Sequence, residues 1–275
     1  MESRKLSRRS ALKTGLSALA AGAALTPEAF AAPKASGETR VLFLVGDYWH
    51  NGVAQESHWR RVLEPTGWRL MFAQSSQFVT PASLARADLF VVARYAGPDS
   101  LGYIPEGVIE RRPTPAPWMT DEQENAIVEN VTKRGMGLLS MHCSTWNPER
   151  LKYMELIGIK KPLMHGPVQQ VAIHDLNQDH PLTKGIQDFG IDLDENFGAE
   201  LLEGNTLLYK STGLRDKRID NAAWCRETGK GRTVALLFGH EPQAFQPKEI
   251  KTVMWRSAHW AMRRDIPASD FKDGY

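Results

Sequence analysis

Three histidines stand where an α/β protein usually keeps its chemistry. His50 follows the apolar run Arg40–Gly46 by way of Asp47-Tyr48-Trp49, His142 directly follows Gly137–Met141, and His240 follows Thr233–Phe238 after one glycine. Continuous apolar runs of this length read as strands buried on both faces. In an open parallel sheet, ligands sit beyond the carboxyl ends of the strands. If these strands are parallel, the three imidazoles share one rim. Neutral imidazole binds zinc and its neighbours, and it titrates near neutral pH. His50, His142 and His240 are therefore expected to hold a divalent metal ion, or to do acid–base work. One histidine after a strand is usually a loop hydrogen-bonder; the coincidence of three is what points to a site.

The other histidines read differently. His58 and His259 fall inside helices, as packing or surface residues, and His174 ends a strand without an assigned role. His180 lies in the turn Asp179-His180-Pro181, and His165 follows Leu163-Met164 in a loop, where it stays a candidate. Glu195, in Asp192-Leu193-Asp194-Glu195-Asn196, is a metal ligand or general base on one reading. On the plainer one it belongs to a solvated acidic loop. The order strand–Met141-His142-Cys143-Ser144–helix resembles a nucleophile elbow. The Gly-x-Cys-x-Gly of amidotransferases is missing, so a thiol hydrolase using Cys143 is the alternative reading. A small residue packed beneath the site is the plainer one.

The elements that must position these residues alternate. Val53–Leu63 is predicted helical and stops at Pro65 to Gly67; Trp68–Ala73 and Asp88–Ala93 are predicted strands. Thr120 and Gln123 form a capping box for a helix that runs to about Arg134 and stops at Gly135. Pro148–Ile157 is a further predicted helix. Val168–His174, Thr206–Ser211, Ala222–Arg226 and Thr233–Phe238 are expected strands, the last two joined around Gly229-Lys230-Gly231, and Pro247–Met262 closes as a helix. The pattern predicts a doubly wound, mostly parallel α/β sheet with antiparallel additions, in one domain over residues 38–265. Ala96–Trp118 is an irregular insertion, equally readable as a lid or as a surface elaboration.

Composition narrows the class. Of 275 residues, 42% are hydrophobic, and 34 basic residues nearly balance 32 acidic ones, which excludes a disordered acidic chain and a polybasic nucleic-acid arm. Two cysteines are too few for a disulfide scaffold or a four-thiolate zinc site. Ser7-Arg8-Arg9-Ser10-Ala11-Leu12-Lys13, the weakly apolar Thr14–Leu25 and Ala29-Phe30-Ala31 read as a twin-arginine signal peptide over residues 1–31. That predicts a periplasmic or secreted protein with free thiols and no membrane segment in its mature form. Arg4, Lys5, Arg8, Arg9 and Lys13 outnumber Glu2 and Glu28 in this segment, so the remainder is close to neutral and suggests no nucleic-acid partner. Gly-x-Gly-x-x-Gly, a Walker A loop, Gly-x-Ser-x-Gly and His-Glu-x-x-His are all missing, so no nucleotide cofactor and no standard serine hydrolysis is expected.

Several ordered pieces resemble one family. They are Thr120-Asp121-Glu122-Gln123 with Arg134–Leu139 and Met141-His142, Leu151–Gly158 followed by His165, Asp179–Ile186, Asp194-Glu195, and Ala223-Trp224 with Gly229–Arg232, Gly239-His240 and Trp260-Ala261. Together they resemble the ThuA-like family, named for trehalose utilisation, across about Arg40 to Arg264. The resemblance implies a flavodoxin-like fold close to class I glutamine amidotransferases without their catalytic cysteine. It puts His50, His142 and His240 in one cleft and adds Glu195 and His165 as catalytic residues. It implies carbohydrate catabolism: an enzyme acting on a sugar or keto-sugar, or a non-catalytic sugar-binding protein. Tyr48, Trp49 and Trp146 could then stack on the sugar, although core packing is the plainer role for each. Cys143-Ser144-Thr145-Trp146 and the insertion depart from the family pattern.

Overall fold

The computed structural model describes residues 26–95, 98–99, 116–267 and 271. Residues 1–25 of the expected export signal, and 96–97 and 100–115 of the insertion, lie outside the described residues. In chain order the strands are β1 (Arg40–Val45), β2 (Arg69–Ala73), β3 (Leu89–Ala93), β4 (Pro98–Asp99), β5 (Ala116–Pro117), β6 (Gly137–Met141), β7 (Ile159–Pro162), β8 (Val168–His174), β9 (Phe189–Glu195), β10 (Ala199–Leu201), β11 (Thr206–Gly213), β12 (Ile219–Thr228) and β13 (Gly231–Leu236). The helices are α1 (Pro27–Ala31), α2 (Gly52–Leu63), α3 (Pro81–Arg86), α4 (Asp121–Glu129), α5 (Leu151–Leu156) and α6 (Lys248–Ala261). Among the described residues no helix is long and apolar enough to cross a membrane.

A nine-stranded sheet runs in the order β2-β1-β3-β6-β13-β12-β11-β8-β9. The first five strands are parallel. The remaining pairs are antiparallel. Taken in chain order, the parallel strands stand 2-1-3-4-5, the flavodoxin-like arrangement, with its switch point between β1 and β3. The doubly wound, mostly parallel sheet with antiparallel additions is thus the observed fold.

Alternation along each strand builds two cores. In β1, Val41, Phe43 and Val45 face Trp59 and Val62 of α2 and Ile250, Val253 and Met254 of α6. Leu42 and Leu44 face the other layer, with Leu84 of α3, Ile127 of α4 and Tyr153 of α5. Every residue of β1, β3 and β6 is buried, as their continuous apolar sequences require.

Several expectations need correction. The helix predicted from Pro148 begins only at Leu151, and α4 gives way at Asn130–Arg134 to a π-helical turn that Gly135 ends. Short α3 and the strands β7, β9 and β10 have no counterpart in the sequence reading. The base of the insertion is pinched by antiparallel pairing of β4 with β5, and Trp118 Nε1 donates to the Tyr95 carbonyl at 2.7 Å.

Candidate metal and acid–base site

Strand direction decides which loops meet. β1, β6 and β13 are parallel, so the loops carrying His50, His142 and His240 leave by one edge. From β13 the chain direction reverses at each step through β12, β11, β8 and β9. β9 therefore also ends at that edge, with Glu195, and β8 starts there, just after His165. Although β9 is four strands from β13, Asp194 reaches the loop after β13. Its carboxylate accepts the N–H of Gly239 at 2.9 Å and of His240 at 2.8 Å. The antiparallel half of the sheet must curl over the rim to make this contact.

Two of the three imidazoles, His50 and His142, are oriented from behind. After β1 the chain doubles back on itself so tightly that a Cβ on Gly46 (φ +72°) would lie 2.7 Å from the Gly52 backbone. In that turn Asp47 accepts N–H donors from Trp49 (2.7 Å), His50 (3.1 Å) and Tyr95 (2.6 Å). Both of its oxygens are 2.7 Å from His50 Nδ1. A carboxylate only accepts, so Nδ1 carries the proton and Nε2 offers a lone pair. Burial pushes the Asp47 carboxyl up, but His50 and the backbone donors outweigh it and hold it below its ordinary value. Buried Arg94 braces the turn, donating from Nη1 to the carbonyls of Gly46 (2.6 Å) and Gln74 (2.8 Å).

His142 is the residue at the elbow. Its φ is +46°, a left-handed conformation that costs a non-glycine residue about 1–2 kcal/mol. Beneath it, Ser140 Oγ bonds Ser144 Oγ at 2.8 Å and the Tyr153 hydroxyl at 2.9 Å. Nδ1 lies 3.1 Å from the Leu237 carbonyl and must donate to it. Nε2, fully buried, has no hydrogen-bond partner, and the Glu195 Oε2 oxygen is 3.5 Å away. Burial disfavours a proton on this ring, but Glu195 and Asp194 favour one, and the pKa is raised.

The strained elbow thus presents an imidazole, and Cys143 is turned below it. Its thiol is buried, and burial together with Asp47 and Glu195 pushes its pKa well up. Its sulfur is 3.5 Å from His50 Nδ1, a nitrogen already committed to Asp47. The thiol also donates to Asp47 Oδ2 at 3.9 Å, but that carboxylate is committed to His50 and held below its ordinary value, so this geometry favours the packing role.

The three rings converge. His50 is 5.1 Å from both His142 and His240 between centroids, and His142 is 5.6 Å from His240. One nitrogen from each lies within 4.8 Å of the others. His240 Nδ1 is 3.3 Å from His50 Nε2 and 3.4 Å from Glu195 Oε2. Burial and the neighbouring His142 push the His240 pKa down to about 4, so it is neutral at neutral pH. With the Nδ1 atoms of His50 and His142 committed to Asp47 and the Leu237 carbonyl, their Nε2 atoms are left to face the cluster beside His240, and this donor set fits a divalent cation. These groups could hold an ion.

Glu195 corrects the acidic-loop reading. It is largely buried at the end of β9, bridging His142, His240 and, through Oε1 at 3.0 Å, His165 Nδ1. Burial raises its pKa, but the histidines outweigh it and hold the carboxyl well below its usual range. The pKa of His165 is raised, chiefly by its hydrogen bond to Glu195. Its ring stacks on Phe197 at 5.1 Å. Burial drives Asp194 the other way, up to about 6.

Side-chain exposure falls from 41% at His165 through 19% at His240 and 10% at Glu195 to 2% at His142, so the site opens on the His165 side. Trp49, beside His50, is exposed, with Tyr48 edge-on to it at 4.9 Å. Trp146 is half-buried, at the end of the 3₁₀ turn that starts at His142. A cavity of about 710 Å³, lined by Trp68, Trp255 and Arg264, lies at the opposite edge, where α2 ends and β2 begins.

The sequence reading missed Asp47 and Asp194. The spacing Asp47-x-x-His50 was the available signal for the first; nothing local marks the second. The remaining histidines lie elsewhere. His58 stacks on Phe245, His174 bonds Thr212, His180 lies beside Cys225, and His259 bonds the Trp255 carbonyl.

Comparison with known proteins fits this geometry. The chain is similar in structure to a ThuA-like protein from Bacteroides uniformis (14% identity, TM-score 0.63, covering 84% of this chain and 94% of that one). A ThuA-like protein from Parabacteroides merdae is similar at 17% identity and TM-score 0.59, covering 86% of this chain and 96% of that one. A cytoplasmic protein from Salmonella typhimurium aligns at 12% identity and TM-score 0.52, covering 81% of this chain and 99% of that one. At these identities the likenesses show a shared fold. No curated protein matches the sequence. The family model for ThuA, trehalose utilisation, matches residues 40–261, almost the whole described domain, and the chain belongs to that family.

Proposed function

We propose that this protein is an exported, metal-assisted enzyme of carbohydrate catabolism acting on a sugar or keto-sugar. The observation that carries the reading is the convergence of three imidazoles, two of them held from behind, around the buried Nε2 of His142, which makes no hydrogen bond and has Glu195 Oε2 at 3.5 Å. His50, His142 and His240 would hold a divalent ion. Such an ion supplies Lewis acidity toward a carbonyl or hydroxyl oxygen. Glu195 is the group that takes and returns a proton, since its carboxylate faces the ring cluster at 3.4 and 3.5 Å. His165 relays that proton to solvent: it bonds Glu195 and its ring is half exposed. Trp49, exposed at the turn carrying His50, offers an aromatic face to the sugar ring and half-buried Trp146 a second, while Tyr48 is buried edge-on to Trp49. The near-neutral remainder of the chain gives no reason to expect a nucleic-acid partner. Export to the periplasm or beyond rests on the paired arginines and the apolar stretch that follows them.

The test is elemental analysis of protein purified without chelator or affinity metal, followed by turnover assays on sugars, keto-sugars and keto-glycosides. Near-stoichiometric divalent metal in the wild type, lost together with turnover in His142→Ala, is the expected result. Metal-free wild-type protein with full turnover overturns the metal assignment. Sugar binding without turnover on any substrate, unchanged in His142→Ala, overturns the enzyme reading in favour of a sugar-binding protein.

A further inference from the structure

The segment around the expected cleavage site is built into the folded body. Phe30 is 1% exposed and belongs to the core layer of Leu84 and Ile127, with its ring 5.0 Å from Phe78. Pro27 stands in the first turn of α1, where its fixed φ suits a helix start. On the other side of the Ala31–Ala32 bond, buried Arg40 donates from Nη1 to the Ala32 carbonyl at 2.7 Å and from Nη2 to that of Pro33 at 3.3 Å. Lys34 pairs with Asp88 at 2.5 Å, and the Ala35 N–H donates to Glu38 at 2.8 Å. The chain is therefore fixed to the sheet on both sides of that bond.

We infer that residues 27–39 are a permanent part of the domain, and that Ala29-Phe30-Ala31 is not a processing site. A peptidase would have to unwind α1 and draw Phe30 out of the core to reach the bond. Hydrolysis there, with one water added across the peptide C–N bond, would carry a fully buried aromatic away with the leader and leave a void. Any bond hydrolysed in maturation lies before Pro27. Ala18-Leu19-Ala20 and Ala21-Gly22-Ala23 repeat the small-x-small spacing upstream.

The test expresses the full chain, with its own leader, in a host that has twin-arginine export, and measures the intact mass of the folded product. A mass that retains residues 27–31 is expected, whether or not upstream residues have been removed. A folded product starting at Ala32 overturns the inference. In the same full-length protein, Phe30→Ala lowers the melting temperature by about 10 °C, as the loss of a buried aromatic does in a domain of this size. Phe30→Leu, which keeps most of the buried volume, gives a smaller drop. An unchanged melting temperature in both variants would show that the side chain is dispensable, and would equally overturn the inference.

Discussion

The two halves of the sheet supply the same rim by different routes. The parallel half delivers imidazoles, each on a loop that directly follows a buried apolar strand. Hydrogen bonds donated to Asp47, in the same turn, and to the carbonyl of Leu237, on the neighbouring strand's loop, aim His50 and His142. The antiparallel half delivers the carboxylates: Glu195 into the ring cluster and Asp194 under the His240 loop. Its contribution depends on a strand folding back over the rim from the far edge of the sheet. On the proposed function, the parallel half would orient two of the ion's ligands, while the antiparallel half would hold the loop of the third and supply the proton acceptor, so the two roles of Glu195 and Asp47 can be perturbed separately.

The largest expected effect falls on the antiparallel side. Glu195→Gln keeps shape and removes the proton acceptor, so turnover drops by about 10²–10⁴-fold while metal content stays at the wild-type level. Loss of metal together with turnover would instead make Glu195 a ligand and erase the division between the halves. Next, Asp47→Asn leaves a side chain of equal size that no longer fixes the His50 tautomer. Metal affinity, read by competition with a chelator, is expected to fall about 10–100-fold; unchanged affinity would remove His50 from the ligand set. Cys143→Ala should leave turnover unaltered in the same assay, since the thiol is buried and lacks a free base. A collapse of activity with normal folding and metal content would return the thiol to the chemistry.

The smallest effect is a control outside the rim. His58 stacks on Phe245, and burial with the nearby Arg61 and Lys251 pushes its pKa down to about 4. A group depressed on folding adds stability above its unfolded value, near 6.5, and that stability drains away as pH falls toward 4. In His58→Phe the melting temperature should decline less steeply across this window, with metal content unaffected. Identical pH profiles would mean that the ring is not effectively buried in solution.

Much of this was legible in the chain. β1, β3 and β6 are read from unbroken apolar runs, because a strand covered on both faces has no polar position to interrupt it. The rim histidines follow from those runs by simple adjacency. β9 was missed although Phe189, Ile191 and Leu193 alternate with Gly190, Asp192 and Asp194, because the acidic residues were read as a loop; the alternation itself breaks at the end of the strand, where Asp194 is the buried residue. The short α3 was overlooked although Thr80 and Ser83 form a reciprocal cap, because six residues give no period to detect.

The run of buried strands along the chain, the identity of the imidazoles and the family were set by residues close together in the chain, where apolar periodicity and turn chemistry act. Sequence left open which end of a short acidic stretch faces solvent, and whether the elbow presents His142 or Cys143. Those were decided by the curl of the antiparallel strands and by a backbone angle at residue 142. Both are products of packing between segments some fifty to a hundred residues apart.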